Sequence, residues 1–347
     1  MRKNKMINWL ALVGLAFFIS ACSQPKKEVV IAGKTMGTTY HVKYIVGSDD
    51  KVADEEQIHQ GIDTVLAEVN RQMSTYMKDS EISQFNQLRD TQTALSISPE
   101  FGRVVKEALR LNKVTDGALD VTVGPLVNLW GFGPEHRPDK APTQAEIDAR
   151  RAWVGIDKLI LEESNGQYRL RKTVPELYLD LSSIAKGFGV DQVADYLRSQ
   201  GIKNYLVEVG GEISAKGENN AGQLWQIAIE KPEFDGTRAV QQIVGLKDMG
   251  MATSGDYRNY FEENGVRFSH EIDPNTGKPI QHQLASITVI TPQCMTADGL
   301  STGLFVLGED KAMALAQKDG LAIYMIVKTK QGFEIRMSDA FKQLIKE

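Results

Sequence analysis

Apolar positions along this chain follow two periods. Between residues 38 and 46 they alternate closely enough to predict a strand. Between 54 and 73 they recur at Ile58, Ile62, Val65, Leu66 and Val69, the spacing of one helix face. Ser98-Pro99-Glu100 predicts a second helix start, with Ser98 as N-cap, Pro99 in the first helical position, and Phe101, Val104, Val105, Ala108 and Leu109 as the buried face. The proline-rich stretch 131–142 reads as an exposed loop before a helix over about 143–154. Short strands are expected at 159–161, 168–171 and 177–181. A helix over 185–200 is stopped by Gly201. Strands follow at 205–209, 225–230, 240–246 and 286–290, helices at 296–307 and 311–318, strands at 322–328 and 333–337, and a last helix from Ser338. Strands and helices interleave irregularly, with hairpin-like pairs and no long linker. That pattern predicts an α+β fold with a mainly antiparallel sheet and packed helices, in one domain over 31–347.

The first residues follow a different rule. Arg2, Lys3 and Lys5 precede an apolar run over 6–19 and then Ser20-Ala21-Cys22. A basic start, a short apolar region and a small-residue exit describe a secretory signal, and the run is too short for the ~20 residues of a spanning helix. The Cys after Ser20-Ala21 resembles a bacterial lipobox. The resemblance implies a signal peptide over 1–21, lipidation of Cys22, and a tether over 22–30. It also implies a place on the periplasmic side of the envelope, with the inner membrane expected ahead of the outer; residue 23, Ser rather than the Asp that often marks inner-membrane retention, leaves both membranes open. Removing 1–21 takes away three basic residues and no acidic one, so the formal charge of −5 deepens to about −8.

Composition narrows the rest. With 42% hydrophobic and 24% charged residues, the chain can bury a large core and is not globally disordered. Forty basic against 45 acidic residues, without a basic run, exclude a nucleic-acid surface. Two cysteines exclude a disulfide framework and a cysteine-rich zinc site, and Cys294 reads as a buried structural thiol. Gly-x-Gly-x-x-Gly after a strand, Walker A, His-Glu-x-x-His and Gly-x-Ser-x-Gly patterns are all missing from the sequence.

Two segments carry chemistry on their spacing. Asp298 and Thr302 are i,i+4, with Ser301 between them on the same helix face. A carboxylate beside hydroxyls suits a hard cation such as Mg²⁺. The same residues also describe an ordinary helix N-terminus, with Asp298 favouring the dipole. The segment from Asp180 to Gly189 ends an expected strand and opens a helix, a natural anion site with Lys186 in the first turn. It equally describes an Asp-Leu-Ser turn followed by an exposed lysine.

Taken jointly, six segments resemble the ApbE family, the FAD:protein FMN transferases. They are residues 34–38, Ser74-Thr75-Tyr76, residues 115–133, residues 180–187, Thr253-Ser254-Gly255-Asp256-Tyr257-Arg258, and residues 270–279. The likeness runs from about Gly33 to Lys342. It implies an α+β fold with an FAD cleft, use of Mg²⁺, and transfer of FMN from FAD to a Thr or Ser hydroxyl of a partner protein with release of AMP. The implied acceptors are flavoprotein subunits such as those of the sodium-translocating NADH:quinone oxidoreductase and Rnf complexes. By the same resemblance, Met36, Tyr76, Ala118, Leu119, Asp120, Asp180, Lys186, His270 and Ile272 contact FAD. Asp298, Thr302, Ser301 and the carbonyl near Ser183 hold the metal, and Lys186 and His270 serve the chemistry. The general base is His270 or a carboxylate, with His270 ranked first because an imidazole accepts a proton near neutral pH. Two positions depart from the family pattern: Glu271, where an apolar residue is common, and Gly299, where Ala is common. A Mg²⁺-dependent FAD pyrophosphatase and a non-catalytic FAD-binding lipoprotein are the alternatives.

Overall fold

The computed structural model describes residues 26–48, 50–134, 140–232, 239–256, 260–263 and 266–345. The expected signal peptide, Cys22, Tyr257 and Arg258 lie outside them. The chain opens with strands β1 (Lys27–Thr35) and β2 (Thr38–Val46). Then come α1 (Glu55–Met73), α2 (Glu81–Gln87), β3 (Leu95–Ile97), α3 (Pro99–Val114), α4 (Gly124–Leu129) and α5 (Gln144–Arg151). Strands β4 (Leu159–Ser164) and β5 (Gln167–Lys172) lead to α6 (Ala185–Ser199). Next are β6 (Asn204–Val209), β7 (Glu212–Lys216), β8 (Trp225–Lys231), β9 (Ala239–Leu246) and β10 (Met249–Gly255). Two short hairpins follow, β11 (Tyr260–Glu263) with β12 (Val266–Ser269) and β13 (Ile272–Asp273) with β14 (Lys278–Pro279). The remaining elements are β15 (Leu284–Thr291), α7 (Cys294–Leu307), α8 (Glu309–Asp319), β16 (Ala322–Thr329), β17 (Gly332–Met337) and α9 (Asp339–Leu344).

Eight strands form one antiparallel sheet in the order β1-β2-β6-β7-β10-β15-β16-β17. The α+β reading with a mainly antiparallel sheet is what the fold displays. Helices cover one face. Ile58, Ile62 and Leu66 of α1 and Val190, Val193 and Leu197 of α6 pack on Tyr40, Val42, Tyr205 and Val207. A second core joins α3 and α7 to β15 and β16. On the opposite face the β8–β9 hairpin and α9 bury Trp225, Ile227, Ile229, Leu246 and Phe341 against Met251, Ile290 and Tyr324. β15 is buried along its whole length, as a central strand covered on both faces must be.

Several expected boundaries hold for local reasons. Ser98 caps α3 by accepting from Phe101 N, with Pro99 at its start. Thr143 and Glu146 form a capping box on α5, which ends at Arg151 rather than near 154. Two expectations change. β1 begins at Lys27, so residues 27–30 belong to the sheet rather than to a tether, because Val29 and Ile31 are already buried. The strand expected at 177–181 reduces to a single bridge, Tyr178 with Val123. Its backbone is paired instead to side chains: Asn86 Nδ2 donates to Leu179 O at 2.9 Å, and Leu179 N donates to Asn86 Oδ1 at 2.7 Å. Alternating Leu177, Leu179 and Leu181 are all fully buried, so the apolar period was real, but residues 121–123 beside it meet it only at the Tyr178 bridge and where Asp180 N donates to Val121 O at 2.8 Å.

Lys172 closes the same segment. It is fully buried, donates to Leu177 O at 2.8 Å, and lies 4.7 Å from the centre of the Phe85 ring. Burial, helped by the charge of Arg89, pushes its ammonium down to about 8. Between pH 8 and the ordinary lysine value the unfolded chain therefore holds a proton that the folded chain lacks. Stability must rise with pH across that window. Relative to Lys172→Met, the native chain should gain on the order of 1 kcal/mol from pH 7.5 to 9.5, measured by urea unfolding. A difference that is flat with pH would mean the ammonium stays charged in the fold.

Candidate active site

Helices α6 and α7 meet at their N-termini, and each caps the other. Gly187, in the first turn of α6, lies so near α7 that an added Cβ would sit 2.5 Å from the Cys294 carbonyl oxygen and 2.7 Å from Asp298 Cβ. That approach lets Gly187 N donate to Asp298 Oδ2 at 2.8 Å. In return, Asp191 of α6 accepts from Cys294 N at 3.0 Å and Met295 N at 2.9 Å, the open N–H groups of α7. Burial pushes the Asp191 carboxyl up to about 6 despite these two bonds. Asp191→Ala should cost about 1–2 kcal/mol, the usual cost of a lost cap, read as a lower urea midpoint. An unchanged midpoint would show that α7 is seated without it.

Lys186 follows directly from this junction. Its Nζ lies 3.0 Å from Glu212 Oε1 and 3.6 Å from Asp298 Oδ1. Both carboxylates are almost fully buried, while the lysine side chain keeps 30% exposure toward the cleft. Burial alone would lower the ammonium; Asp298 and Glu212 outweigh it and hold the lysine above its ordinary range. The two acids share one counter-ion in a buried pocket; burial raises both, the charge of Asp298 adding to it at Glu212, which reaches about 7, and the charge of Glu271 adding to it at Asp298. Glu212 Oε2 is buried without a hydrogen-bond partner among the described residues.

These groups stand in the wall of a cleft of about 1190 Å³. Met36 and Tyr76 line one part of it. Met36 has φ 48°, in the two-residue turn between β1 and β2, and its Cε reaches α6 at Gly189. Tyr76 is 72% exposed at the mouth. Ala118, Leu119 and Asp120 form another stretch of wall. Asp120 is fixed by Thr122, whose N and Oγ1 donate to it at 2.8 and 2.6 Å. Asp180 and Ser183 border the α6 end, where Asp180 accepts from Ser182 N at 2.9 Å. His270 and Ile272 come from the β12–β13 region, with His270 Nε2 3.4 Å from Glu271 Oε1. The departure at Glu271 therefore puts a carboxylate beside the imidazole. Gly299 packs on α3, where a Cβ would meet Leu111 Cδ1 at 2.5 Å.

Asp298 and Thr302 also face the cleft, one turn apart. Ser301 does not. Its hydroxyl donates to Asp298 O at 2.9 Å and bonds Ser254 Oγ at 2.9 Å, and the residue is 1% exposed. The helix spacing was right, but that oxygen is already committed, so Ser301 leaves the expected ligand set. Among the described residues no three His, Cys, Asp or Glu side chains converge as a metal cage would. The expected set has a single carboxylate, so that finding leaves it standing. Sequence reasoning passed over Glu212, Asp191 and Ser254. Only Ser254, inside a quoted segment, carried a signal.

An antiparallel sheet, two mutually capped helices and a buried lysine–carboxylate centre in the wall of one cleft define the class, an α+β protein with a charged cleft at the meeting of two helices. The chain belongs to the ApbE family, whose model matches residues 36–325. It is 58% identical over 342 residues to the FAD:protein FMN transferase of Haemophilus influenzae, covering 98% of each chain. It is 54% identical to the protein of that name from Vibrio cholerae, over 98% of this chain and 99% of the other. Among solved structures, the flavin transferase ApbE from Vibrio cholerae superposes with a TM-score of 0.85 at 54% identity, covering 92% of this chain and all of that one. The apo flavinyl transferase ApbE of Pseudomonas stutzeri gives 0.84 at 41% identity, over 93% and 98%.

Proposed function

We propose that this chain transfers FMN from FAD to a Thr or Ser hydroxyl of a partner protein, leaving a phosphoester and releasing AMP. One observation carries the reading: Lys186, held between Glu212 and Asp298, keeps its positive charge in the wall of a cleft of about 1190 Å³. A pyrophosphate must be met by positive charge before an alcohol can attack it. Tyr76 and Met36 would border the flavin, Ala118, Leu119, Asp120 and Asp180 would hold the chain of the dinucleotide, and Ile272 would pack at the nucleotide.

Asp298 suits a divalent cation on its own account. Burial raises its carboxyl, and a bound cation would relieve that cost. The donors available are Asp298, Thr302 and the carbonyl at Ser183, all hard oxygens. Mg²⁺ bound there would supply charge to the pyrophosphate oxygens. The protein's own part is positional. Lys186 binds phosphate oxygens, and His270 takes the proton of the attacking hydroxyl. The hydroxyl oxygen then bonds the phosphorus on the flavin side, the bridging P–O bond breaks, and AMP leaves with the bridging oxygen.

The test uses the chain from Ser23 onward with FAD, Mg²⁺ and a purified acceptor subunit of the sodium-translocating NADH:quinone oxidoreductase or Rnf type. A gain of ~438 Da on the acceptor, lost with EDTA, is the expected result, from phosphoester stoichiometry. Free FMN and AMP without that gain would favour hydrolysis, and FAD left intact would favour a storage protein. We further propose that Cys22 carries lipid and holds the chain on the periplasmic side of the inner membrane. Cys22→Ser should move it from the membrane to the soluble periplasmic fraction; retention in the membrane would defeat the anchor.

A further inference from the structure

The β8–β9 hairpin has one face in the core and an outer face on which Val240 and Ile243 are exposed. Trp225, Ile227, Ile229, Val244 and Leu246 bury the inner face against the main sheet. The outer face is set by the register. Ala228 lies opposite Ile243, and Glu230 lies opposite Val240. Directly opposed residues of an antiparallel pair point to the same side. Ala228 and Glu230 line the reaction cleft. Their partners, Val240 at 60% and Ile243 at 56% exposure, are among the few large apolar side chains left in water. The cleft wall thus runs without a break onto an apolar strip.

We infer that this strip, Val240 and Ile243 of β9, is where the acceptor polypeptide docks. The inference rests on the transferase reading, which requires a second polypeptide to bring a hydroxyl to the cleft. A dinucleotide enclosed in the cleft has no use for aliphatic groups outside it. A protein whose hydroxyl enters past Ala228 would lie across its cross-strand neighbour Ile243. The partner's chemistry follows: a hydroxyl-bearing segment flanked by exposed apolar side chains. Apolar strips rimmed by polar residues are the usual mark of such a contact.

Val240→Glu, Ile243→Glu and the double variant put charge on exposed positions outside the cleft. FAD affinity, read by quenching of flavin fluorescence, should match the native chain. KM for the acceptor subunit should rise about tenfold or more in the double variant, with kcat recovered at saturating acceptor. An unchanged KM would overturn the docking strip while leaving the transferase reading intact. A native chain that never modifies the acceptor would defeat the transferase reading, and the strip with it. A native dimer in sedimentation that the double variant dissolves would assign the strip to a second copy and overturn the inference. Should the double variant not fold, hydrogen exchange of the native chain decides. The acceptor must slow exchange of the amides over 239–246, and unaltered exchange there refutes the strip.

Discussion

Asp298→Asn should leave a folded protein that binds FAD and turns over roughly a hundredfold more slowly, the scale of losing a key electrostatic group in a dry site. The structure explains why Asn is the informative replacement. Asp298 has two tasks on its two oxygens. Oδ2 accepts from Gly187 N and seats α6, and Oδ1 faces Lys186 and the cleft. Asn keeps an oxygen for Gly187 and loses the charge and the second oxygen, the one that faces Lys186. Asp298→Ala loses both, so part of its defect would be a lost cap worth about 1 kcal/mol. The Asn variant should also bind Mn²⁺ more weakly than the native chain, read by electron paramagnetic resonance and independent of turnover. Native Mn²⁺ binding and native Mg²⁺-dependent turnover in Asp298→Asn would show that the cation sits elsewhere.

How much of this was legible beforehand depended on range. The helix stripe over α1, the Ser98-Pro99 start and the i,i+4 pair Asp298–Thr302 are local patterns, and they appear in the fold as spacing requires. β10 left no pattern, although it lies at the centre of the sheet. Its Gly250 is needed because a Cβ there would lie 2.5 Å from Cys294 N, so close approach to α7 has displaced the apolar alternation of a strand. Glu212 follows a Gly-Gly turn and meets Lys186 26 positions away; nothing near it in sequence marks it. Asp191 sits inside an amphipathic helix and caps a helix more than 100 residues on. Ser301 shows the converse. Its spacing was correct, yet Ser254 of β10 claims its hydroxyl, a contact that no helical wheel contains. The apolar leucines at 177–181 likewise predicted burial correctly and pairing wrongly, because Asn86 supplies the hydrogen bonds from α2.

Lys186 and Glu212 should behave as one unit, and their coupling is the sharpest test of the centre. Lys186→Met removes the cation that lies against both buried acids, Glu212 and Asp298. Breaking a buried pair by deleting one partner typically costs about 3–5 kcal/mol, though protonation of Glu212 near neutral pH should trim that here. Adding Glu212→Gln to the same chain should return part of the loss, because one of the two stranded acids goes with it while Asp298 stays. Turnover should follow a different pattern. Lys186→Met should lower kcat/KM roughly a hundredfold by removing the phosphate contact. Glu212→Gln alone should cost about tenfold, because Lys186 loses its 3.0 Å anchor and drifts toward Asp298. In the Lys186→Met background Glu212→Gln should cost nothing further in turnover while it restores part of the stability. A merely structural Glu212 gives the opposite signature, with stability falling in both backgrounds and turnover following it. Additive effects on turnover would mean that Glu212 acts on the substrate directly and not through the lysine.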